Sequence, residues 1–353
     1  MKKIFFALAA VAALAACSKN EIEYEQTGEI SFAPVAKNIT KSMITGTSFP
    51  TSESFNVWAW YKQVPADTPV ADWGAGDAEH LYISEGKFVN KDANNWKGET
   101  SYYWPKVGSL LFAGYYPSTI KNDVDYTFNS TTNQMVFNKI QQGVVDAGTP
   151  EEDIMYFNMT SKSHSSGPVQ VVFKHALSWI TVNLSRPTDN AGDAVYPKIV
   201  VNSVTFTNVN PQGTGTVTGT DGTISWVTNG TVQNPVVTPA EGVVLSATAQ
   251  KQTEPLFIPQ PFVVDKPETT SINEAMELKV NYTIYSSEAE YFTETHTTPL
   301  AGMQGKVGET TTTLSSWEPA KHYTYNISIG IDEILIAPTV ADWQDITVAV
   351  PVN

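Results

Sequence analysis

The chain has 353 residues, 36 acidic against 21 basic side chains, a formal net charge of −15 and one cysteine. Charge of that sign repels nucleic acid, and with Arg186 as the sole arginine the usual bidentate reader of phosphate is missing too. A single thiol excludes a disulfide framework and a thiolate metal centre.

Lys2 and Lys3 open the chain, an apolar stretch runs from Ile4 to Ala13, and Leu14-Ala15-Ala16-Cys17 closes it, which is the order of a secretory signal. The stretch is too short to span a bilayer. Its last four residues match the lipobox of bacterial lipoproteins, in which small residues fit a peptidase groove and the cysteine thiol accepts diacylglycerol. Residues 1–16 are therefore expected to be a signal peptide and Cys17 the lipidated residue. Cleavage removes Lys2 and Lys3 and takes the formal charge from −15 to −17. Residues 17–28 are polar and acidic, with Glu21, Glu23 and Glu25, and read as a flexible tether between lipid and fold.

About 325 residues follow, more than one core usually holds, so two domains are expected. Thr, Val, Tyr, Phe and Trp are frequent, and Gly, Pro, Asn, Asp and Ser clusters interrupt short apolar runs, which predicts an all-β architecture. Glu29 to Ala36 reads as a first strand with Ile30 and Phe32 on one face. Phe55 to Tyr61 and Leu110 to Tyr116 are apolar on both faces, as in strands held between a sheet and a covering layer. Ser161 to Pro168 has linker composition, and a boundary there divides the body into residues 29–165 and 166–353. In Val169 to Leu184 the buried phase passes from Val169, Val171, Phe173, His175 and Leu177 to Ile180, Val182 and Leu184, which predicts a bulge near Ser178. Pro211 to Gly230 predicts a hairpin with a turn at Asp221-Gly222. Pro259 and Pro261 place Leu256 to Phe262 at an edge or in an exposed extended arm. Strict alternation buries Leu278, Val280, Tyr282 and Ile284, and later Tyr323, Tyr325, Ile327, Ile329 and Ile331. Ile346, Val348, Val350 and Val352 alternate in the last segment.

No constellation for catalysis emerges. The histidines at 80, 164, 175, 296 and 322 have no spacing that brings two onto one metal from a single element, so neither a metal nor a cofactor is expected. His175 shares a face with Phe173 and Leu177 and reads as a satisfied core or interface histidine. Gly213 to Gly219 looks like a phosphate loop but has its last glycine one position late and no helix after it. Glu151-Glu152-Asp153 reads as a solvated turn or a helix start. Aromatic faces can stack on sugar rings. Trp58 and Trp104 lie in strand contexts and read as core, whereas Trp73 and Trp96, amid Gly, Asp and Asn, read as the exposed pair and the candidate glycan contacts.

The chain resembles the fimbrillins that build type V pili in Bacteroidales, in particular the Mfa-like group. The resemblance rests on the lipobox at Cys17, on Tyr102-Tyr103-Trp104-Pro105 with Phe112-Ala113-Gly114-Tyr115-Tyr116-Pro117, and on Asp153-Ile154-Met155-Tyr156. Val172 to Leu177, Trp317 to Tyr325 and Val340-Ala341-Asp342-Trp343 continue it. It implies two tandem transthyretin-like β-sandwiches, an outer-membrane lipoprotein precursor, and assembly with other fimbrial subunits by strand exchange after a protease removes the first strand. Family members cut by an arginine-specific protease carry an arginine hereabouts, whereas this chain offers Lys37 and Lys41, so either a lysine-cutting protease or no cutting follows. The strand Ile346 to Val352 either pairs at home or is donated to a neighbour. The chain ends ten residues past Trp343, which leaves little length for a separate donor and tilts the expectation toward a tip or minor subunit, adhesive to a host or bacterial surface glycan or protein. The alternative reading is a monomeric surface lipoprotein that binds glycans through Trp73 and Trp96.

Overall fold

The computed structural model describes residues 24–36, 49–63, 80–92, 95–118, 125–129, 134–141, 153–164, 167–187, 198–218, 222–264, 274–286, 289–307, 309–330 and 334–342. Among them every regular element is a β-strand. The first half contributes β1 (Tyr24–Glu29), β2 (Ser31–Ala36), β3 (Ser54–Lys62), β4 (His80–Asp92), β5 (Asn95–Gly98), β6 (Tyr103–Pro105) and β7 (Ser109–Tyr116). β8 (Asp125–Asn129), β9 (Gln134–Gln141), β10 (Met155–Ser163) and β11 (Val169–His175) complete it. β12 (Ser178–Ser185), β13 (Lys198–Thr207), β14 (Gln212–Thr218) and β15 (Ile224–Thr228) open the second half.

Alternation along these strands turns one set of side chains inward, and hydrogen bonding closes the first set of strands into a ring in the order β10, β11, β2, β5, β4, β3, β7, with β7 back against β10. The interior is dominated by rings, Phe32, Phe49, Phe55, Phe88, Trp96, Phe112, Phe157 and Phe173 among them. Gly114 lets one of them in: a Cβ there would lie 2.0 Å from Cε1 of Phe157.

β3 and β7 are buried on both faces, as their sequence predicts. Phe55, Val57, Leu110 and Phe112 face the ring interior, while Trp58, Trp60, Leu111, Ala113 and Tyr115 face a second core. The covering layer is a four-stranded sheet, β15-β14-β9-β8, which supplies Met135, Phe137, Val217 and Ile224. β14 and β15 form the expected hairpin, with Gly222 at φ 62° in its turn. β14 also pairs with β9, so this sheet joins strands from the two halves of the chain. The glycine-rich run thus lies, over residues 213–218, in β14.

The third core lies between two sheets. β12 is paired in parallel with Lys321–Ile329, whose other neighbour is Ile334–Asp342. Opposite lie β13, Glu277–Ser286 and Ala289–Pro299. Leu278, Val280, Tyr282 and Ile284 are buried, as are Tyr323, Tyr325, Ile327 and Ile329, while Ile331 lies outside the described residues. The Leu256–Phe262 segment makes only two-residue ladders, Leu256–Phe257 with β12 and Gln260–Pro261 with Ser316–Trp317, as its prolines require, but it is no exposed arm: Leu256, Phe257, Ile258, Gln260 and Phe262 are buried.

Three expectations change. The chain passes from ring to sandwich at Ala176-Leu177, since β11 pairs within the ring and β12 within the following sheet. Ser161–Ser163 are not linker but strand, the end of β10 paired with β7. Ala176 and Leu177 are both buried. The phase change near Ser178 is consequently a crossing between sheets and not a bulge. Finally, the tether is shorter than 17–28, because Tyr24–Glu29 pairs with β6.

Candidate functional site

β2 is the first strand of the ring, and its place there is unequal on its two sides. Toward β11 it forms a parallel ladder from Phe32↔Val169 to Ala36↔Phe173. Toward β5 only Ser31↔Lys97 and Phe32↔Trp96 are in register. The side chains do more than the ladder. Ile30 and Phe32 are both 0% exposed. The Phe32 ring meets Phe88 at 4.8 Å, Phe112 at 5.3 Å and Phe55 at 5.9 Å between centroids, all edge-on, with Phe157 at 6.2 Å. Removing the strand would leave a ring-sized gap lined by aromatics and two unpaired backbone edges.

β1 extends this attachment. The Ile30 amide donates to the Tyr102 carbonyl at 2.7 Å. Lys97 Nζ stands 2.7 Å from a Glu29 carboxylate oxygen and holds that carboxyl below its ordinary range, chiefly by hydrogen bonding. The pair is partly exposed, which limits it to a fraction of about 1 kcal/mol.

A second polar feature sits where the chain leaves the ring. His175 Nδ1 lies 2.9 Å from Asp153 Oδ2 and 3.1 Å from Oδ1, with both side chains buried. The Ala176 amide donates to the Ile154 carbonyl at 2.8 Å. The expected core histidine is thus found, but Asp153 is no solvated turn or helix residue: it is the buried partner. Sequence reasoning missed it because 22 positions separate the two, and only β10–β11 register, Met155 opposite His175, brings them together. The turn before β15 docks nearby, where Tyr156 Oη and Lys174 Nζ donate to the Gly222 carbonyl at 3.1 and 3.3 Å. Trp226 Nε1 donates to the Ala176 carbonyl at 2.8 Å. His322 stacks on Trp179 at 3.7 Å and faces Thr181, and burial pushes its pKa down to about 4. Among the described residues, no group of three or more His, Cys, Asp or Glu side chains is placed to hold a metal ion.

The expected exposed tryptophan pair is not found as such. Trp96 is 0% exposed, packs 5.8 Å from Phe49 and donates from Nε1 to the Glu53 carbonyl at 3.3 Å. Its neighbours Asp92 and Asn95 are the paired ends of β4 and β5, and turn composition around a residue does not decide which way its side chain points. Trp73, Cys17, Lys37, Lys41 and Ile346, Val348, Val350 and Val352 lie outside the described residues. Phe49, 1% exposed beside Phe55 and Phe173, was missed because it is isolated among Ser, Thr, Gly and Pro.

A β-protein whose first ring strand plugs an aromatic interior with a buried phenyl side chain is the class these features define. The prokaryotic membrane lipoprotein lipid-attachment site matches residues 1–18, and the family described as Fimbrillin-like matches residues 40–343. The chain belongs to the fimbrillin-like family, and is a surface-exposed lipoprotein. Among solved structures, a fimbrial protein from Bacteroides vulgatus is similar at 15% identity and TM-score 0.53, over 89% of this chain and 99% of that one. A candidate cell adhesion protein from Bacteroides uniformis gives 13% and 0.52 over 90% and 100%. Another from Parabacteroides distasonis gives 11% and 0.51 over 90% and 98%. At these identities the likeness is one of fold. Nothing matches among curated proteins.

Proposed function

We propose that this chain is a structural subunit of a surface fimbrium, exported to the outer membrane through lipidated Cys17 and assembled by exchange of its first strand. Cleavage after Lys37 or Lys41 would release β1 and β2 together, and a strand from a neighbouring subunit takes their place. The observation that carries this reading is the position of β2: first in the ring, weakly laddered on the β5 side, and anchored by a single aromatic plug. Strand addition at such an edge combines main-chain hydrogen bonds with side-chain pockets, which gives a stable joint without any covalent chemistry. The work is mechanical, and the buried Asp153–His175 pair serves to hold β10 to β11 beside the groove.

Amino-terminal sequencing of protein recovered from the native surface tests it. A start at Asn38 or Ser42 is the expected result; an acylated Cys17 on all assembled material would overturn strand removal.

A further inference from the structure

The groove under β2 carries information about what fills it. We infer that it is shaped for a donor strand bearing an aromatic plug, and that this donor comes from a chain of different sequence and not from the last segment of a second copy of this one. The inference rests on the strand-exchange reading above and names the partner of that same groove.

The inward positions of the resident strand are Ile30, Phe32 and Pro34, all buried, so the groove takes an aliphatic, a ring and a compact residue at alternate positions. The middle position is the selective one. Phe55, Phe88 and Phe112 stand at 87°, 85° and 86° to the Phe32 ring, and three edge-on neighbours define a slot one ring thick. Rings packed at interior density do not close over a missing ring, so a smaller plug leaves a cavity.

The alternating run near the chain's end cannot supply that plug. Ile346, Val348, Val350 and Val352 offer only branched aliphatics in the inward phase. Trp343 is aromatic but lies in the opposite phase, together with Asp345 and Thr347. Seating Trp343 in the slot puts Asp345 at the buried position of Ile30 or Pro34, whichever way the strand runs, and takes a carboxylate out of water. The intact first strand of a second copy would fit, but the proposed maturation removes it.

The experiment uses the full mature chain with one specific protease site introduced between residues 38 and 48, cut so that β1–β2 stays bound without a covalent link. Labelled peptides for residues 24–36, the same peptide with Phe32→Val, and residues 340–353 then compete for the groove, followed by fluorescence anisotropy and native mass spectrometry. The 24–36 peptide is expected to exchange in, the Phe32→Val peptide to bind about tenfold more weakly or worse, and the 340–353 peptide no better than that variant. Binding of 340–353 within about threefold of 24–36 would overturn the inference. Strand-swapped dimers of the uncut chain would overturn it too, by making a second copy the donor. If not even the 24–36 peptide exchanges, strand exchange itself fails, and the inference falls with it.

Discussion

The ring and the sandwich behind it each hold a parallel strand pair, yet they use it differently. In the ring the pair is β2 with β11, and β2 comes first in the chain with little on its far side. In the sandwich it is β12 with Lys321–Ile329 over seven residues, and β12 is also paired with Gln250–Lys251 and Leu256–Phe257. The packing differs in kind as well. Among the described residues, ten of the eighteen buried hydrophobics of the ring interior are aromatic, against seven of twenty-six in the sandwich, so the ring depends on a few plates in set orientations. Aliphatic cores adjust to a lost side chain more readily than interlocked rings do. The ring is thus suited to give up one strand and demand a close replacement, and the sandwich to stay whole.

That contrast is open to attack at several points. Phe32→Ala should destabilise the ring by about 3–5 kcal/mol, read as a lower denaturation midpoint with hydrogen exchange rising first in β2, β5 and β11. Equal loss of protection throughout the sandwich would show that the two regions unfold as one. Asp153→Ala removes the carboxylate that faces His175 Nδ1 at 2.9 Å in the interior and should cost about 1–3 kcal/mol, by the same measurement. In the sandwich, Tyr325→Phe removes the acceptor for Trp317 Nε1, 3.0 Å away in the interior, and should cost about 1–3 kcal/mol while leaving the ring unchanged.

Acid should separate the regions further. His322 in the sandwich has its pKa pushed down to about 4 by burial, a shift that the Glu254 charge opposes and that of Lys251 supports. Between the unfolded value near 6.5 and about 4 the unfolded chain binds the extra proton, so stability falls as pH falls through that window. His322→Gln should flatten this dependence. Glu29 at the foot of β2 has a lowered pKa, so its pairing with Lys97 contributes above about 4.5 and is lost as pH drops through the folded value. Lys97→Met should remove that smaller effect, which salt should also weaken. The sandwich should therefore respond to acid first, and the latch on the first strand only afterwards, as followed by pH-resolved hydrogen exchange.

What the amino-acid sequence determined by itself was local: the export signal and lipobox, the strand character of each alternating run, the double burial of Phe55–Tyr61 and Leu110–Tyr116, and the inward pair Ile30 and Phe32. These follow from side-chain period and turn chemistry, which act over a few residues. Tertiary structure alone decided which strands became neighbours. It seated Trp96 inside, joined Asp153 to His175, built one sheet from β9 and β14 across the two halves, and carried the chain from ring to sandwich through a buried apolar dipeptide. Each of these depends on register between segments far apart in the chain, and a shift of one residue would send every one of those side chains to the opposite face.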